Sequence, residues 1–199
     1  MQNHFTSMTK TALPNIVKLT RFFNKHSQPV LFTQHGHPPA DFEEPITNQL
    51  VRKWGISGSI HTGSEDWELM PQIQELVKVE EKRVAEEEGE RAKDGVIVPK
   101  NTYDAFLHTG LEERLRGMGV ERVVICGVMT DCCCDTSGRS AFNRGFETWL
   151  VSDAMGSVVK RQHEAGLKGW GFGFGDVIAT EEVIERLSEG SCGKGFGAS

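Results

Sequence analysis

The chain has 199 residues, of which 38% are hydrophobic and 25% charged, a size and balance that suit one globular domain with a single sizeable core. With 22 Lys and Arg against 28 Asp and Glu, the net charge is −6, and no basic stripe with interleaved aromatics is present. Nucleic acid is therefore excluded as the expected partner, and a small neutral or weakly charged molecule is favoured.

No stretch approaches the roughly 20 apolar residues of a membrane span, so no membrane partner is expected. The opening Met1-Gln2-Asn3-His4-Phe5-Thr6-Ser7 lacks the basic end and apolar core of a secretory signal. Five cysteines, three of them consecutive, form neither an even disulfide framework nor a paired Cys-x-x-Cys metal pattern. Reduced thiols in the cytoplasm are the expectation.

In chain order, Leu13, Ile16, Val17, Leu19, Phe22 and Phe23 recur at helical spacing, and a short buried strand follows over 29–33. The Glu-, Lys- and Arg-rich stretch 79–93 reads as a solvated helical insertion. Strands are predicted over 96–98, 122–126 and 147–152, and helices over 102–116, 131–143 and 180–187. Strands alternating with helices imply an α/β class with a mostly parallel sheet. One domain is expected over 1–187, and the Gly-rich 188–199, with little to bury, is expected to be a flexible tail.

The most informative run is Val123-Val124-Ile125-Cys126-Gly127-Val128-Met129-Thr130-Asp131-Cys132-Cys133-Cys134, an apolar strand running through a glycine into three thiols and a helix. Unpaired N–H groups in a first helical turn stabilise a thiolate or a developing oxyanion. With Thr130 or Asp131 as the cap, Cys133 falls in that turn, while helical geometry turns Cys132 and Cys134 aside as packing thiols. Lys100 ends a predicted strand, at the edge where parallel sheets place their ligand crevice, and so shares an edge with Cys133.

His35 and His37 belong on that edge too, and His-Gly-His can present two imidazoles to a metal. Two nitrogens do not complete a site, and polar loop residues are the favoured reading. Trp67 is either a pocket wall or a core residue. Gly171-Phe172-Gly173-Phe174-Gly175 precedes a strand instead of joining strand to helix, which argues against a phosphate loop. His163, within a charged run, is expected on an exposed helical face.

Several ordered motifs resemble the isochorismatase-like cysteine hydrolases, a family that includes nicotinamidases, other small amidases and true isochorismatases. Gly127-Val128-Met129-Thr130-Asp131-Cys132-Cys133, followed by Thr136, Ala141, Arg144-Gly145-Phe146 and Val151-Ser152-Asp153-Ala154, is similar to the family's nucleophile segment. Lys100-Asn101-Thr102-Tyr103-Asp104-Ala105-Phe106 resembles its catalytic-lysine segment, and Gly63-Ser64-Glu65-Asp66-Trp67-Glu68-Leu69 its pocket loop.

The resemblance implies a three-layer α/β/α Rossmann-like fold with a six-stranded sheet, an oligomer, and thiol-dependent hydrolysis of a small C–N amide. It implies Cys133 as nucleophile, Lys100 as its electrostatic partner, and a cis bond between Val128 and Met129 that turns the Met129 and Cys133 N–H groups to the oxyanion. Phe5 and Trp67 match pocket positions. No cofactor is implied. His35 and His37 would match only two of the positions that hold a metal in some members, with Glu43 near a third, so no metal is expected.

One departure stands against these matches. The family's aspartate base closes a central strand immediately before the segment that begins this chain, so that strand and its carboxylate are missing. A shortened product of a longer catalytic sequence is the expectation, with an inactive oligomerising or regulatory paralogue as one alternative. Isochorismate vinyl-ether hydrolysis is the other, although a cysteine at the nucleophile position argues for a thiol hydrolase.

Overall fold

The structure is a computed structural model and describes residues 1–88 and 95–190. A 3-10 turn, Asn3–Phe5, and a short helix α1, Thr6–Thr9, lead into α2, Leu13–Lys25, where Pro14 sits in the first turn and Ile16 and Leu19 face inward. Strand β1, Phe32–His35, pairs in parallel with β2, Ile97–Lys100, in the register Phe32↔Ile97 to His35↔Lys100. Between them the chain forms α3, Gln49–Trp54, capped by the Asn48 side chain, and α4, Pro71–Glu88.

Helix α5, Leu111–Gly117, precedes β3, Arg122–Val128. A wide i→i+5 turn over Thr130–Cys134 then feeds α6, Asp135–Asn143, followed by β4, Glu147–Gly156, α7, Lys160–Gly173, β5, Asp176–Ile178, and α8, Thr180–Gly190. Every strand pair is parallel, in the orders β1-β2 and β3-β4-β5.

Three layers follow from the alternation of β4. Trp149 and Val151 point to a core built with Ile16 and Leu19 of α2, Ile73 and Leu76 of α4 and Val183 of α8. Leu150 points the other way, to Trp170 of α7 and Cys134. On that second face Leu111 and Leu115 of α5 and Ala141 of α6 pack with Val98 and Phe146. A parallel sheet covered on both faces by helices is the expected α/β arrangement.

The sheet is divided in two, and among the described residues no strand lies between β1 and β3. Thr33 of β1 is exposed, and all but one of the β3 residues are only half-buried, the signature of edge strands. Met1 and Gln2 lie between their carboxyl ends. The Met1 sulfur passes Gly127, and the Gln2 amide takes both backbone groups of His35, accepting from its N–H at 2.9 Å and donating to its carbonyl at 2.6 Å.

Other expectations are corrected. No helix starts at 102: Ser137 Oγ accepts from Ala105 N–H at 3.0 Å and donates to Tyr103 O at 3.2 Å, and Asp104 Oδ1 accepts from Phe106 N–H at 2.8 Å. Side chains that claim backbone groups in this way displace helix, which waits until Leu111. The stretch 79–93 is not wholly solvated within its described part, because Glu80 is buried, accepts from Val30 N–H at 3.0 Å and pairs with Arg83 at 2.6 Å; residues 89–93 lie outside the described residues. Ser188, Glu189 and Gly190 belong to α8 instead of a tail, and 191–199 lie outside the described residues.

Candidate active site

The apolar run of β3 delivers the chain to Gly127, whose φ of 119° only glycine adopts without strain, and the Val128–Met129 peptide bond that follows is cis. Met129 O then accepts from the N–H groups of both Cys132 and Cys134, at 3.2 and 3.0 Å, which winds the turn carrying Cys133. Neither expected cap is used as one. Thr130, 1% exposed, donates through Oγ1 to Gly156 O at 3.0 Å and meets His163 Nδ1 at 2.7 Å, while Asp131 accepts from the Ser157 hydroxyl. These side chains are turned to β4 and α7 because they anchor the turn laterally.

The three thiols have different surroundings. Cys134 is buried in the core beside Leu150, Met155 and Trp170, and burial pushes its thiol well up. Cys132 is half-buried, and desolvation, reinforced by Asp131, pushes it up to about 11. Cys133, also half-buried, faces Lys100 Nζ at 3.5 Å. The ammonium, 7% exposed, donates also to Thr102 O at 2.8 Å and Tyr103 O at 3.3 Å. Among the described residues Lys100 pairs with no carboxylate, and the Cys133 sulfur is the one side chain it hydrogen-bonds.

Tyr103 closes one side of this pair. Trp54 Nε1–H donates to its hydroxyl at 2.9 Å, and that hydroxyl meets the Cys132 thiol, while desolvation raises the phenol above its usual range. On the opposite side, the β1–β2 register sets His35 beside Lys100. Burial, with the Lys100 charge second, lowers the His35 imidazole to about 3, so the ring is neutral, and its Nδ1 has no partner among the described residues. His37 is 2% exposed and donates through Nδ1–H to Asp41 Oδ2 at 2.8 Å, and Asp41 also accepts from Asn48 and Asn101. Both histidines are thus built into strand end and core instead of a polar loop.

Trp67 lies against Gly36, where a Cβ would come within 2.5 Å of the indole. Gln2 and Gln34 both donate to its carbonyl, at 2.9 and 3.0 Å, which fixes the 63–69 loop over the end of β1. Phe5, half-buried, reaches the same loop through the neighbouring contacts Asn3 N–H to Glu68 O and His4 N–H to Asp66 O. Among the described residues, no group of three His, Cys, Asp or Glu is placed to hold a metal ion, and no helix is long and apolar enough to cross a membrane.

Residues 1–182 match the isochorismatase domain. The chain belongs to the isochorismatase family. It is 33% identical to nicotinamidase 3 of Arabidopsis thaliana over 187 residues, covering 94% of this chain and 85% of that protein. Its fold is similar to that of a cysteine hydrolase from Pseudomonas syringae pv. phaseolicola 1448A, with a TM-score of 0.72 at 22% identity over 91% of this chain and 82% of the other. It is also similar to N-carbamoylsarcosine amidase from Thermoplasma acidophilum, with a TM-score of 0.68 at 20% identity, covering 90% and 91% of the two chains.

Within this isochorismatase-family frame, two residues at the site carry no sequence-level signal of their own. His163 was expected on an exposed face and is instead half-buried against Thr130. Tyr103 lies in a segment read as helix, where its hydroxyl would have had no reason to reach the thiols. Position in the Lys100-Asn101-Thr102-Tyr103 motif was the one available hint.

Proposed function

We propose that the chain hydrolyses a small C–N amide through a Cys133 thioester. The observation that carries this reading is the 3.5 Å approach of the buried Lys100 ammonium to the Cys133 sulfur. The thiol proton passes to water, and Lys100 holds the resulting thiolate. The sulfur attacks the amide carbonyl and forms a C–S bond, and the oxyanion meets the N–H groups of Met129 and Cys133. Collapse breaks the C–N bond, and the amine leaves with a proton taken from water. A second water then cleaves the thioester, releasing the carboxylic acid and restoring the thiol. Phe5, Trp67 and Tyr103 wall the substrate pocket. The 33% identity to nicotinamidase 3 supports a small aromatic carboxamide as the first substrate to test.

Release of ammonia from nicotinamide and other small amides tests the reading. The wild type is expected to turn over at least one of them, Cys133→Ala to lose turnover, and Lys100→Met to lose a factor of about 100 to 1,000. Turnover of isochorismate that Cys133→Ala retains in full, with no ammonia released from any amide, would move the assignment to vinyl-ether hydrolysis, which needs no acyl-enzyme. A chain without turnover is the second reading, favoured by the absence of a carboxylate partner to Lys100 among the described residues. Silence toward every amide and toward isochorismate would select it.

A further inference from the structure

Tyr103 stands beside the Lys100 and Cys133 pair with a hydroxyl proton that the hydrolysis has so far left unused. Its backbone fixes its place. The Tyr103 carbonyl accepts from Lys100 Nζ at 3.3 Å and from Ser137 Oγ at 3.2 Å, and Ser140 Oγ donates to Asp104 Oδ2 at 2.7 Å. Lys100 is the ammonium that lies 3.5 Å from the Cys133 sulfur, and Ser137 and Ser140 belong to α6, the helix that the thiol turn feeds. Strand end and helix therefore hold Tyr103 in one frame with the nucleophile.

Hydrogen-bond polarity then sets where the hydroxyl proton goes. An indole N–H only donates, whereas a phenol oxygen both donates and accepts. Trp54 Nε1–H occupies a lone pair of the Tyr103 oxygen at 2.9 Å, so the phenol's own hydrogen points elsewhere. The Cys132 thiol is the group it meets, and Cys133 lies within electrostatic reach. Trp54 is 52% exposed and adds little to the core, so its contact with the phenol is its polar task.

Other proton donors and acceptors near the thiol are committed. The three hydrogens of the Lys100 ammonium are engaged by Thr102 O, Tyr103 O and the Cys133 sulfur. Asp131 accepts from the Ser157 hydroxyl, and Asp135 pairs with Arg139 at 2.8 Å. Desolvation holds the Tyr103 phenol above its usual range, so the proton is in place at neutral pH.

We propose that Tyr103 is the catalytic acid and base of the amide hydrolysis, its O–H protonating the leaving amine and its phenolate taking the proton of the water that cleaves the thioester. The proposal rests on the Cys133 thioester reading and puts Tyr103 where that reading has water as the proton source. In the first half the Cys133 thiolate forms the C–S bond, the C–N bond breaks, and its electron pair leaves with the Tyr103 proton. Ammonia departs, and a phenolate remains beside the Trp54 N–H. In the second half the phenolate removes a proton from water, the hydroxide oxygen bonds to the acyl carbon, and the C–S bond breaks. The carboxylic acid leaves with thiolate and phenol restored, and neither half requires a carboxylate.

Two substrates with one acyl group, assayed on the full chain, test this. Nicotinamide needs a proton for its ammonia to leave, whereas p-nitrophenyl nicotinate releases a nitrophenolate that needs none. Both give the same Cys133 thioester, so kcat/KM compares the acylation steps alone. Tyr103→Phe keeps the ring and loses the proton. It is expected to lower kcat/KM about 100-fold on the amide and no more than about threefold on the ester, whose rate also reports an intact fold and thiol. Trp54→Phe, which removes the donor to the phenol, is expected to show the same split, with about a tenfold loss on the amide. An amide rate that Tyr103→Phe leaves unchanged, or equal losses on both substrates, overturns the acid role and leaves the thiol nucleophile standing. So does a wild type that cleaves the ester through Cys133 but not the amide. A wild type that cleaves neither, or ester cleavage that Cys133→Ala retains, overturns the thioester reading and this proposal together.

Discussion

His163 Nδ1 lies 2.7 Å from Thr130 Oγ1, tying α7 to the turn that carries Cys133. Because Thr130 spends its hydroxyl proton on Gly156 O at 3.0 Å, the ring must donate, so His163 bears its proton on Nδ1. The pair acts on the thiol only through the backbone, by holding the first residue of the turn against β4. Loss of the ring in His163→Ala is expected to lower kcat about tenfold with KM little changed, because misplaced reacting groups lose orientation more than affinity. His163→Asn, whose amide can stand where Nδ1–H stood, is expected to recover most of the rate. A purely structural role would instead lower the melting temperature of His163→Ala and leave kcat intact.

The thiol run makes a separate prediction about chemical labelling. Cys134 is buried with its thiol raised, and Cys132 is raised to about 11 by desolvation, so neither offers much thiolate near neutral pH. Cys133 is the thiol beside a cation. Stoichiometric alkylation followed by peptide mass spectrometry is expected to place the first adduct on Cys133, and Lys100→Met is expected to slow that adduct. A first adduct on Cys132 or Cys134 would remove Cys133 from the nucleophile role.

How far the residues foretold this site depended on whether each contact is local or distant. A continuous apolar run ended by glycine marks a strand from local sequence alone, so β3 and the thiols beyond it were legible although β3 is only half-buried, as was Lys100 at the end of an apolar run. Contacts between distant positions were not. Thr130 and His163 are 33 residues apart, and Ser137 rewrites the local preference of Tyr103 and Ala105 from 32 to 34 residues away. The wide turn at Thr130–Cys134 was hidden for a different reason: it departs from the 3.6-residue period on which helix reading rests. The division of the sheet was foreseeable from the motif order, but the Gln2 amide acting as a stand-in for ladder bonds to His35 was not.

The neutral His35 gives the fold a pH dependence of known sign. Burial, and then the Lys100 charge, lower its folded pKa from 6.5 to about 3. Between those values the unfolded chain binds a proton that the folded chain refuses, so stability falls as pH drops through that window and is unaffected by this group above it. Each pH unit is worth at most about 1.4 kcal/mol. Urea unfolding of wild type and His35→Gln near pH 7 and near pH 5 is expected to show a loss on acidification smaller in the variant by up to about 2 kcal/mol. Equal losses in the two proteins would show that His35 is not refusing its proton.

Gly36 sets the place of Trp67, the residue proposed as a pocket wall. It follows β1, donates its N–H to Lys100 O at 2.9 Å, and lets Trp67 lie flat against the backbone, since a methyl there would stand 2.5 Å from Cδ1 and 2.7 Å from Nε1 of the indole. The Trp67 backbone cannot move away, because its carbonyl is held by Gln2 and Gln34, so the clash has to be relieved by a turn of the indole itself. Gly36→Ala is therefore expected to push the ring off its place and to raise KM for an aromatic amide by about tenfold or more, a loss of contact worth roughly 1.4 kcal/mol. The rate of Cys133 alkylation is expected to stay near the wild-type value, because the Lys100 contact to the thiol does not pass through this glycine. Trp67→Ala should reproduce the rise in KM without the clash; an unchanged KM in both variants would place Trp67 in the core and not in the pocket.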